Sequence, residues 1–143
     1  MTKLRTIATE EAFSIPEVAE ALKYVSRGPS QSLDKLLVKG IYDSNDGKGY
    51  DALNFLDGLL DVEDRRLKQM DELDIDMHLL SLTAPGVQMF DADTATDLAA
   101  LANDVLADIC KRHPTRFAGL AAFAPQSPKR AAKEMERSIT EVY

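Results

Sequence analysis

Residues 6–13 read TIATEEAF, and together with residues 80–88, LSLTAPGVQ, they indicate the architecture of the chain. Both stretches begin with short apolar segments that have the length and pattern of β-strands. The first leads into the carboxylate pair Glu10 and Glu11, and the second ends in Thr83 and a Pro-Gly turn. Enzymes built on parallel barrels deliver their functional groups at strand ends. We therefore expect two strands that carry polar side chains to a site.

Outward from these two stretches, segments of helix and strand character alternate. Pro16 opens a short helix whose apolar residues recur at helical spacing. Asp61 has the character of a helix N-cap, and the helix that follows it ends near Asp74. Residues 75–82 then form the second strand, which the turn at Pro85 ends sharply.

A longer helix and a third strand complete the pattern. Asp91 or Asp93 caps this helix, and Pro114 stops it. Its expected apolar face consists of Leu98, Leu101, Ala102, Val105 and Ile109. Residues 117–124 form a near-continuous apolar run, as expected for a strand covered on both faces, and Pro128 opens a last helix. The chain therefore reads as strand and helix in alternation.

One stretch, from about residue 26 to residue 56, departs from this alternation. Much of it is rich in Gly, Ser, Asn and Asp, and Leu33–Ile41 interrupts that composition. We therefore predict a loop-rich insertion that contains one or two helical turns. Long loops in compact domains are often functional.

Alternating strands and helices predict an α/β fold with parallel strands and right-handed crossovers. A (β/α)8 TIM barrel takes about 250 residues, and a chain of 143 residues offers about three of its eight βα units. Residues 1–143 are therefore expected to form either a small open sheet or the N-terminal part of a TIM barrel. The second alternative is favoured because the pattern would continue after the last helix into a fourth strand.

Composition argues against several classes of function. The chain has 24 acidic and 17 basic residues, a formal net charge of −7 and no basic run, which disfavours nucleic acid or an anionic membrane as a partner. No apolar stretch approaches the roughly 20 residues of a membrane-spanning helix. The single cysteine, Cys110, forms no internal disulfide, and the N-terminus lacks the pattern of a signal peptide. We expect a soluble, cytoplasmic protein.

Four segments carry a resemblance to a known family. They are Ile7–Phe13, Leu80–Gln88, Ala102–Asp104 and Phe117–Pro125. In this order and spacing they resemble the N-terminal part of the amidohydrolase-superfamily decarboxylases, of the 5-carboxyvanillate and 2,3-dihydroxybenzoate type. The resemblance extends over nearly the whole chain. It implies a metal-dependent (β/α)8 barrel that removes CO2 from a hydroxybenzoate-type aromatic acid without an organic cofactor.

Within this resemblance, Glu10 matches the carboxylate of the first strand that ligates the divalent metal. A carboxylate at the carboxyl end of a barrel strand points into the mouth, where Mg²⁺ or Mn²⁺ accepts oxygen ligands. Many superfamily members have a metal-binding histidine two residues later, where this chain has Ala12. The resemblance therefore favours Mn²⁺ or Mg²⁺ over Zn²⁺. Glu11 should point the other way. From the residues alone, a solvated or capping role for Glu10 is the alternative.

Three further residues are candidates for the substrate pocket, and two of them, Thr83 and Tyr42, match pocket positions of the carboxyvanillate branch. Thr83 matches a threonine beside the substrate, where its hydroxyl can bond a phenol or carboxylate oxygen, and bonding within its own turn is the alternative. Pro85 shapes the pocket wall through backbone geometry. Tyr42 matches a pocket tyrosine, and a surface or half-buried aromatic is the alternative. That branch has a substrate-binding arginine where residues 49–51 here read GYD, so the ring substituents of the substrate stay open.

The remaining reactive side chains have structural interpretations. His78 lies at the start of a strand, the wrong end for a barrel site, and His113 completes a helix. Cys110 has no neighbouring histidine or CxxC partner, which favours an inert thiol. The resemblance puts the later metal ligands and the proton donor beyond Tyr143. We therefore expect no catalytic residue within this chain and no decarboxylation by it alone.

Two other functions stay open at this point. The first is a metal-dependent hydrolase of the same superfamily, against which Ala12 counts. The second is a non-catalytic fragment or assembly module that pairs through an open sheet edge. We also expect a small aromatic carboxylic acid as the substrate. The protein is expected to form a homo-oligomer, either a dimer or a tetramer.

Overall fold

The computed structural model describes residues 4–29, 32–42 and 52–142 of the chain. Within these ranges the strands are β1 (Ile7–Phe13), β2 (Met77–Leu82) and β3 (Phe117–Leu120). The helices are α1 (Pro16–Ser26), α2 (Leu33–Tyr42), α3 (Ala52–Leu60), α4 (Asp64–Glu72), α5 (Ala92–Arg112) and α6 (Pro128–Arg137), which a turn of π-helix at Ser138–Val142 follows. In the described ranges, no helix has the length and apolar character needed to cross a membrane.

The three strands form one parallel sheet in the order β1-β2-β3. Helices α1 to α4 lie between β1 and β2 in the chain, and α5 lies between β2 and β3, because parallel neighbours need crossover connections. The expected α/β architecture is confirmed. Three strands in one open sheet make up only part of a barrel.

The sheet has one covered and one open face. Leu80 in β2 is fully buried, and Phe13 and Phe117 lie on the same face with 1% and 2% exposure. On the opposite face, Leu120 is 50% exposed and Ile7 is 48% exposed. The prediction that the third strand is covered on both faces is therefore wrong, because the helices of the described ranges pack on one side only.

Strand β1 contains a β-bulge that sets which side chains reach each face. Ala8 pairs with His78 and Glu11 pairs with Leu80, so three residue steps in β1 match two in β2. The extra residue puts both Thr9 and Glu10 opposite Leu79, on the open face.

Helix α5 follows the predicted boundaries closely. The Asp91 carboxylate accepts hydrogen bonds from the main-chain N–H groups of Asp93 (3.0 Å) and Thr94 (3.1 Å), which makes Asp91 the N-cap. The buried face is formed by Ala95, Ala99, Ala102, Asn103, Leu106, Ala107 and Ile109. Leu101 was expected on the apolar face but is 38% exposed, because the sheet packs against the small residues beside it.

The expected loop-rich stretch at 26–56 is more helical than predicted. Helix α2 extends over ten residues, well beyond one or two turns, and α3 begins inside this stretch. Residues 30–31 and 43–51 of it lie outside the described residues. Helix α2 forms because Val38 and Tyr42 pack into the core, so tertiary burial stabilises a segment whose flanking sequence resembles a loop.

Candidate functional site

Glu10 lies on the open face of the sheet, although not where the sequence placed it. Strand β1 continues to Phe13, so Glu10 is the fourth of seven strand residues, and the prediction that it ends the strand is wrong. Pairing of Phe13 with Leu82 extends the ladder beyond Glu10. The side chain remains exposed on the face that a closed barrel would turn inward, because the β-bulge directs it there.

Glu11 points to the helix-covered face, as expected. Its carboxylate lies 3.4 Å from Nη1 of Arg66 in α4 and 3.5 Å from Nδ1 of His78 in β2. Arg66 also donates to the carbonyl oxygens of Ala12 (2.7 Å) and Gly58 (3.2 Å), which ties α4 to β1. Glu11, Arg66 and His78 line a cavity of about 560 Å³ on this side of the sheet. This cavity is therefore separated by the sheet from Glu10.

His78 is buried, with 7% exposure, in the second position of β2. Burial lowers the pKa of its imidazole, and the carboxylate of Glu11 partly opposes that change. Neither ring nitrogen makes a hydrogen bond of good geometry within the described residues. His78 sits at the amino end of its strand and on the helix side, away from the open face.

Thr83 lies where the carboxyl ends of β1 and β2 meet. Its main-chain N–H donates to the Phe13 carbonyl at 2.9 Å, and its own carbonyl accepts from the Gly86 N–H at 2.8 Å. The turn is thus closed through the main chain of Thr83 and does not occupy its hydroxyl. The residue is 8% exposed, which holds its side chain in a defined place at the strand ends.

Tyr42 ends helix α2 and is buried against the same end of the sheet. It is 7% exposed and belongs to the core that includes Phe13 and Ile15. Burial raises the pKa of the Tyr42 hydroxyl, and the neighbouring Ser14 hydroxyl partly offsets the rise. Among the described residues, no group completes a well-formed hydrogen bond to this hydroxyl. The structure thus brings Tyr42 and Thr83 to the two residues, Phe13 and Ser14, at the end of β1.

Pro85 lies in the turn that follows β2. The Ala84–Pro85 peptide is cis, and Gly86 adopts a φ of 56°, a left-handed conformation that favours glycine. Pro85 lines a cavity of about 230 Å³ whose other wall is residues 120–123 at the end of β3. Gln126 holds the two walls together, since its Nε2 donates to the carbonyls of Val87 and Phe90, each at 2.9 Å.

The described residues contain no complete metal site. Glu10 fits a single oxygen-ligand position because it is exposed on the open face. Within residues 4–29, 32–42 and 52–142, no group of three or more His, Cys, Asp or Glu side chains could hold a metal ion. A complete metal site would therefore need residues outside these ranges.

Sequence reasoning overlooked three residues that shape this end of the sheet: Ser14, Asn103 and Gln126. Ser14 and Gln126 carry no local pattern, because the contacts that place them here, from the Ser14 N–H to Leu59 and from Gln126 to Val87 and Phe90, join residues distant in the chain. Asn103 did offer a signal, since a polar residue interrupts an otherwise apolar helix face and is 1% exposed.

Comparisons with known proteins agree on one group of enzymes. No family model matches the chain. The γ-resorcylate decarboxylase of Rhodococcus jostii is 38% identical over 141 residues, which are 95% of this chain and 35% of that protein. The chain spans about a third or less of the curated relatives that it matches.

Solved structures give the same result. The 5-carboxyvanillate decarboxylase from Sphingomonas paucimobilis is 50% identical with a TM-score of 0.89, over 98% of this chain and 41% of that one. The enzyme of the same name from Novosphingobium aromaticivorans, complexed with manganese and 4-hydroxy-3-methoxy-5-nitrobenzoic acid, is 37% identical with a TM-score of 0.86 over 99% and 43%. A putative amidohydrolase from Staphylococcus aureus, 22% identical with a TM-score of 0.63, is alike in fold.

These matches confirm the resemblance expected from the four sequence segments. Two of the segments, Ile7–Phe13 and Leu80–Gln88, form the strands and the turn that carry the candidate site. Over nearly its whole length, this chain resembles the N-terminal part of amidohydrolase-type decarboxylases that act on hydroxybenzoates.

Proposed function

We propose that the natural protein containing this chain is a Mn²⁺- or Mg²⁺-dependent decarboxylase of a hydroxybenzoate-type aromatic acid. The observation that carries the proposal is the bulge in β1, which directs Glu10 to the open face, in a chain that is 50% identical to a carboxyvanillate decarboxylase. The bound metal would supply Lewis-acid stabilisation of charge on the substrate oxygens. Glu10 would provide one of its oxygen ligands.

The proposed roles of the other residues follow from their positions at the strand ends. Thr83 follows the pairing of Phe13 with Leu82, which puts it about 13 Å beyond Glu10 along the strand direction, at roughly 3.3 Å per residue. This separation leaves room for a ring-sized molecule. The hydroxyls of Thr83 and Tyr42 would donate to, or accept from, the polar substituents of that ring. Pro85 would form part of the wall.

In this proposal the stretch at about 26–56 is an insertion whose helix α2 carries Tyr42 to the strand ends. The buried Tyr42 hydroxyl lacks a well-formed partner among the described residues, which supports a role in binding a polar ligand atom. A tyrosine hydroxyl is protonated at neutral pH and burial raises its pKa further, so Tyr42 can act as a hydrogen-bond donor.

The test uses the full-length natural protein that contains this chain, loaded with Mn²⁺, against a panel of aromatic acids that includes 5-carboxyvanillate and 2,6-dihydroxybenzoate. We expect CO2 release and the corresponding phenol from at least one acid. The absence of decarboxylation across the panel would refute the proposal, and hydrolysis of lactones in the same screen would favour a hydrolase.

Two neighbouring variants test the role of Glu10. We expect Glu10→Gln to weaken Mn²⁺ binding by about a hundredfold or more, because a direct ligand is lost. Glu11→Gln is the matched control: it removes the adjacent carboxylate on the opposite face, and Mn²⁺ affinity should stay within about twofold. Equal losses in the two variants would contradict the assignment.

A further inference from the structure

Asn103 makes an unusual connection between helix α5 and the end of β3. Its Nδ2 donates to the Ala122 carbonyl at 3.0 Å, and its Oδ1 accepts from the Ala122 N–H at 2.7 Å. Regular pairing of β3 ends at Leu120, so the side-chain amide replaces a strand partner for a main-chain unit two residues further on. Asn103 is 1% exposed.

A network around the buried Glu134 carboxylate fixes the orientation of the Asn103 amide. Nδ2 also donates to Oε1 of Glu134 at 2.8 Å and approaches Oγ of Ser138 at 3.4 Å. Arg137 donates to Glu134 and, at 2.8 Å, to Asp104. Because a carboxylate only accepts hydrogen bonds, Glu134 forces the NH₂ group of Asn103 toward itself and leaves Oδ1 for the Ala122 N–H.

The anchored unit, Ala122, is part of the wall that faces Pro85. Both residues line the cavity of about 230 Å³ at the carboxyl ends of β2 and β3. Gln126 fixes the opposite wall through the Val87 and Phe90 carbonyls. Beyond the pairing of Ser81 with Leu120, two side-chain amides hold these walls, and Asn103 is the one that bonds directly to the wall at β3.

We propose that Asn103 is a positioning residue that sets the width of the substrate pocket by holding Ala122. This inference rests on the proposed decarboxylase function. Asn103 itself touches no reacting atom and acts through the Ala122 main chain. Glu10 is two strands away in the order β1-β2-β3, so the metal ligand should not depend on Asn103.

The first test is Asn103→Ala in the Mn²⁺-loaded, full-length natural protein. We expect KM for the accepted acid to rise about tenfold, because the wall loses its anchor and with it substrate binding energy. The dissociation constant for Mn²⁺ should stay within about twofold. An unchanged KM in a folded variant would overturn the proposal, and so would a loss of Mn²⁺ affinity equal to the change in KM.

Leu106→Ala is the matched control for loss of stability. Leu106 is fully buried on the same helix, one turn from Asn103, and belongs to the apolar core. We expect this variant to lower Tm at least as much as Asn103→Ala while KM stays within about twofold. A rise in KM in both variants would show that destabilisation of α5 explains the effect and would refute the positioning role.

A rescue experiment tests the direction of the hydrogen bonds. Asn103→Asp keeps the acceptor for the Ala122 N–H but removes the donor to the Ala122 carbonyl and places a second carboxylate against Glu134, so KM should rise. Adding Glu134→Gln supplies an amide donor to that carboxylate and removes the repulsion between the two carboxylates. The donor to the Ala122 carbonyl stays lost, so we expect the double variant to recover only part of the change in KM. A double variant worse than Asn103→Asp would contradict the proposed network.

Amide hydrogen exchange gives a readout that does not depend on activity. In Asn103→Ala, the Ala122 amide should exchange at least about tenfold faster, because its acceptor is gone, while the Leu80 amide in the centre of the sheet stays protected. Unchanged protection at Ala122 would refute the anchor even if KM rose. If the wild type decarboxylates nothing, the proposed function fails, and this exchange measurement still decides the anchoring of Ala122.

Discussion

Glu10 and Glu11 are consecutive residues of one strand, and they serve different faces of the sheet. Glu11 forms an ion pair with Arg66 under the helices, whereas Glu10 extends into the open side. Strand alternation alone separates two neighbours in this way. The bulge determines which of the two faces each side chain occupies, and this assignment underlies the metal-ligand proposal.

At the scale of single residues, the buried Glu134 gives the chain a specific pH dependence. Hydrogen bonds from Arg137, Asn103 and Ser138 hold its pKa below the usual value of 4.5, with Arg137 contributing most. The unfolded state therefore binds the proton more readily. The stability that Glu134 contributes is complete above pH 4.5 and is lost as the pH falls through the lowered pKa.

Urea unfolding between about pH 3 and pH 6 measures this effect. We expect the free energy of unfolding of the wild type to fall more steeply on acidification than that of Glu134→Gln. Glu136→Gln, which changes an exposed carboxylate on the same helix, should retain the slope of the wild type. Parallel slopes for wild type and Glu134→Gln would contradict the assigned pKa shift.

At the scale of elements, α5 depends on a face of small residues and a few large ones. Ala95, Ala99 and Ala102 allow the helix to approach the core closely, and Leu106 fills the space beyond them. The apolar pattern in the sequence located the helix but wrongly assigned Leu101 to its buried face.

The same substitution at two leucines of α5 should therefore lower the stability by very different amounts. Leu106→Ala should lower the free energy of unfolding by about 2–5 kcal/mol, because it leaves a cavity in the core. Leu101→Ala, at a partly exposed position, should cost less than about 1 kcal/mol. Chemical denaturation of both variants checks the assignment, and equal losses would show that the buried face is misidentified.

At the scale of the whole molecule, the open sheet predicts self-association of the 143-residue chain. Leu120 is 50% exposed on β3, and within the described residues β3 pairs only with β2. Apolar edge strands of this kind pair with other copies. Leu120→Lys should shift sedimentation profiles toward the monomer. Leu73→Lys, at a 70% exposed position after α4, should not, and a monomeric wild type would refute the expectation.

Because the sheet and the metal site are both incomplete, we expect the 143-residue chain alone neither to bind a metal tightly nor to turn over a substrate. Glu10 is the one ligand that we propose, and the described ranges contain no group of three or more His, Cys, Asp or Glu side chains that could hold a metal ion. One carboxylate does not hold a divalent ion tightly, because such sites need several oxygens. We expect calorimetry to show no tight Mn²⁺ binding and assays to show no turnover. Decarboxylation by this chain alone would contradict the proposal that residues outside it complete the active site.

Much of the local structure was predictable from residues close together in the chain. Asp91, Pro114 and Pro128 act within one helical turn, so the ends of α5 and the start of α6 follow from the sequence. The stretch at about 26–56 was harder to predict because α2 is stabilised by the burial of Val38 and Tyr42, which no local pattern reveals.

The sequence by itself determined the order of strands and helices, the identity of the polar residues and the resemblance to the decarboxylases. Only the tertiary structure decided that a bulge in β1 directs Glu10 to the open side, that Tyr42 is buried beside the end of β1 and that Asn103 holds Ala122. Each of these depends on register or contact between distant segments. The physical reason is that caps and turns act over a few residues, whereas strand pairing and packing join residues far apart in the chain.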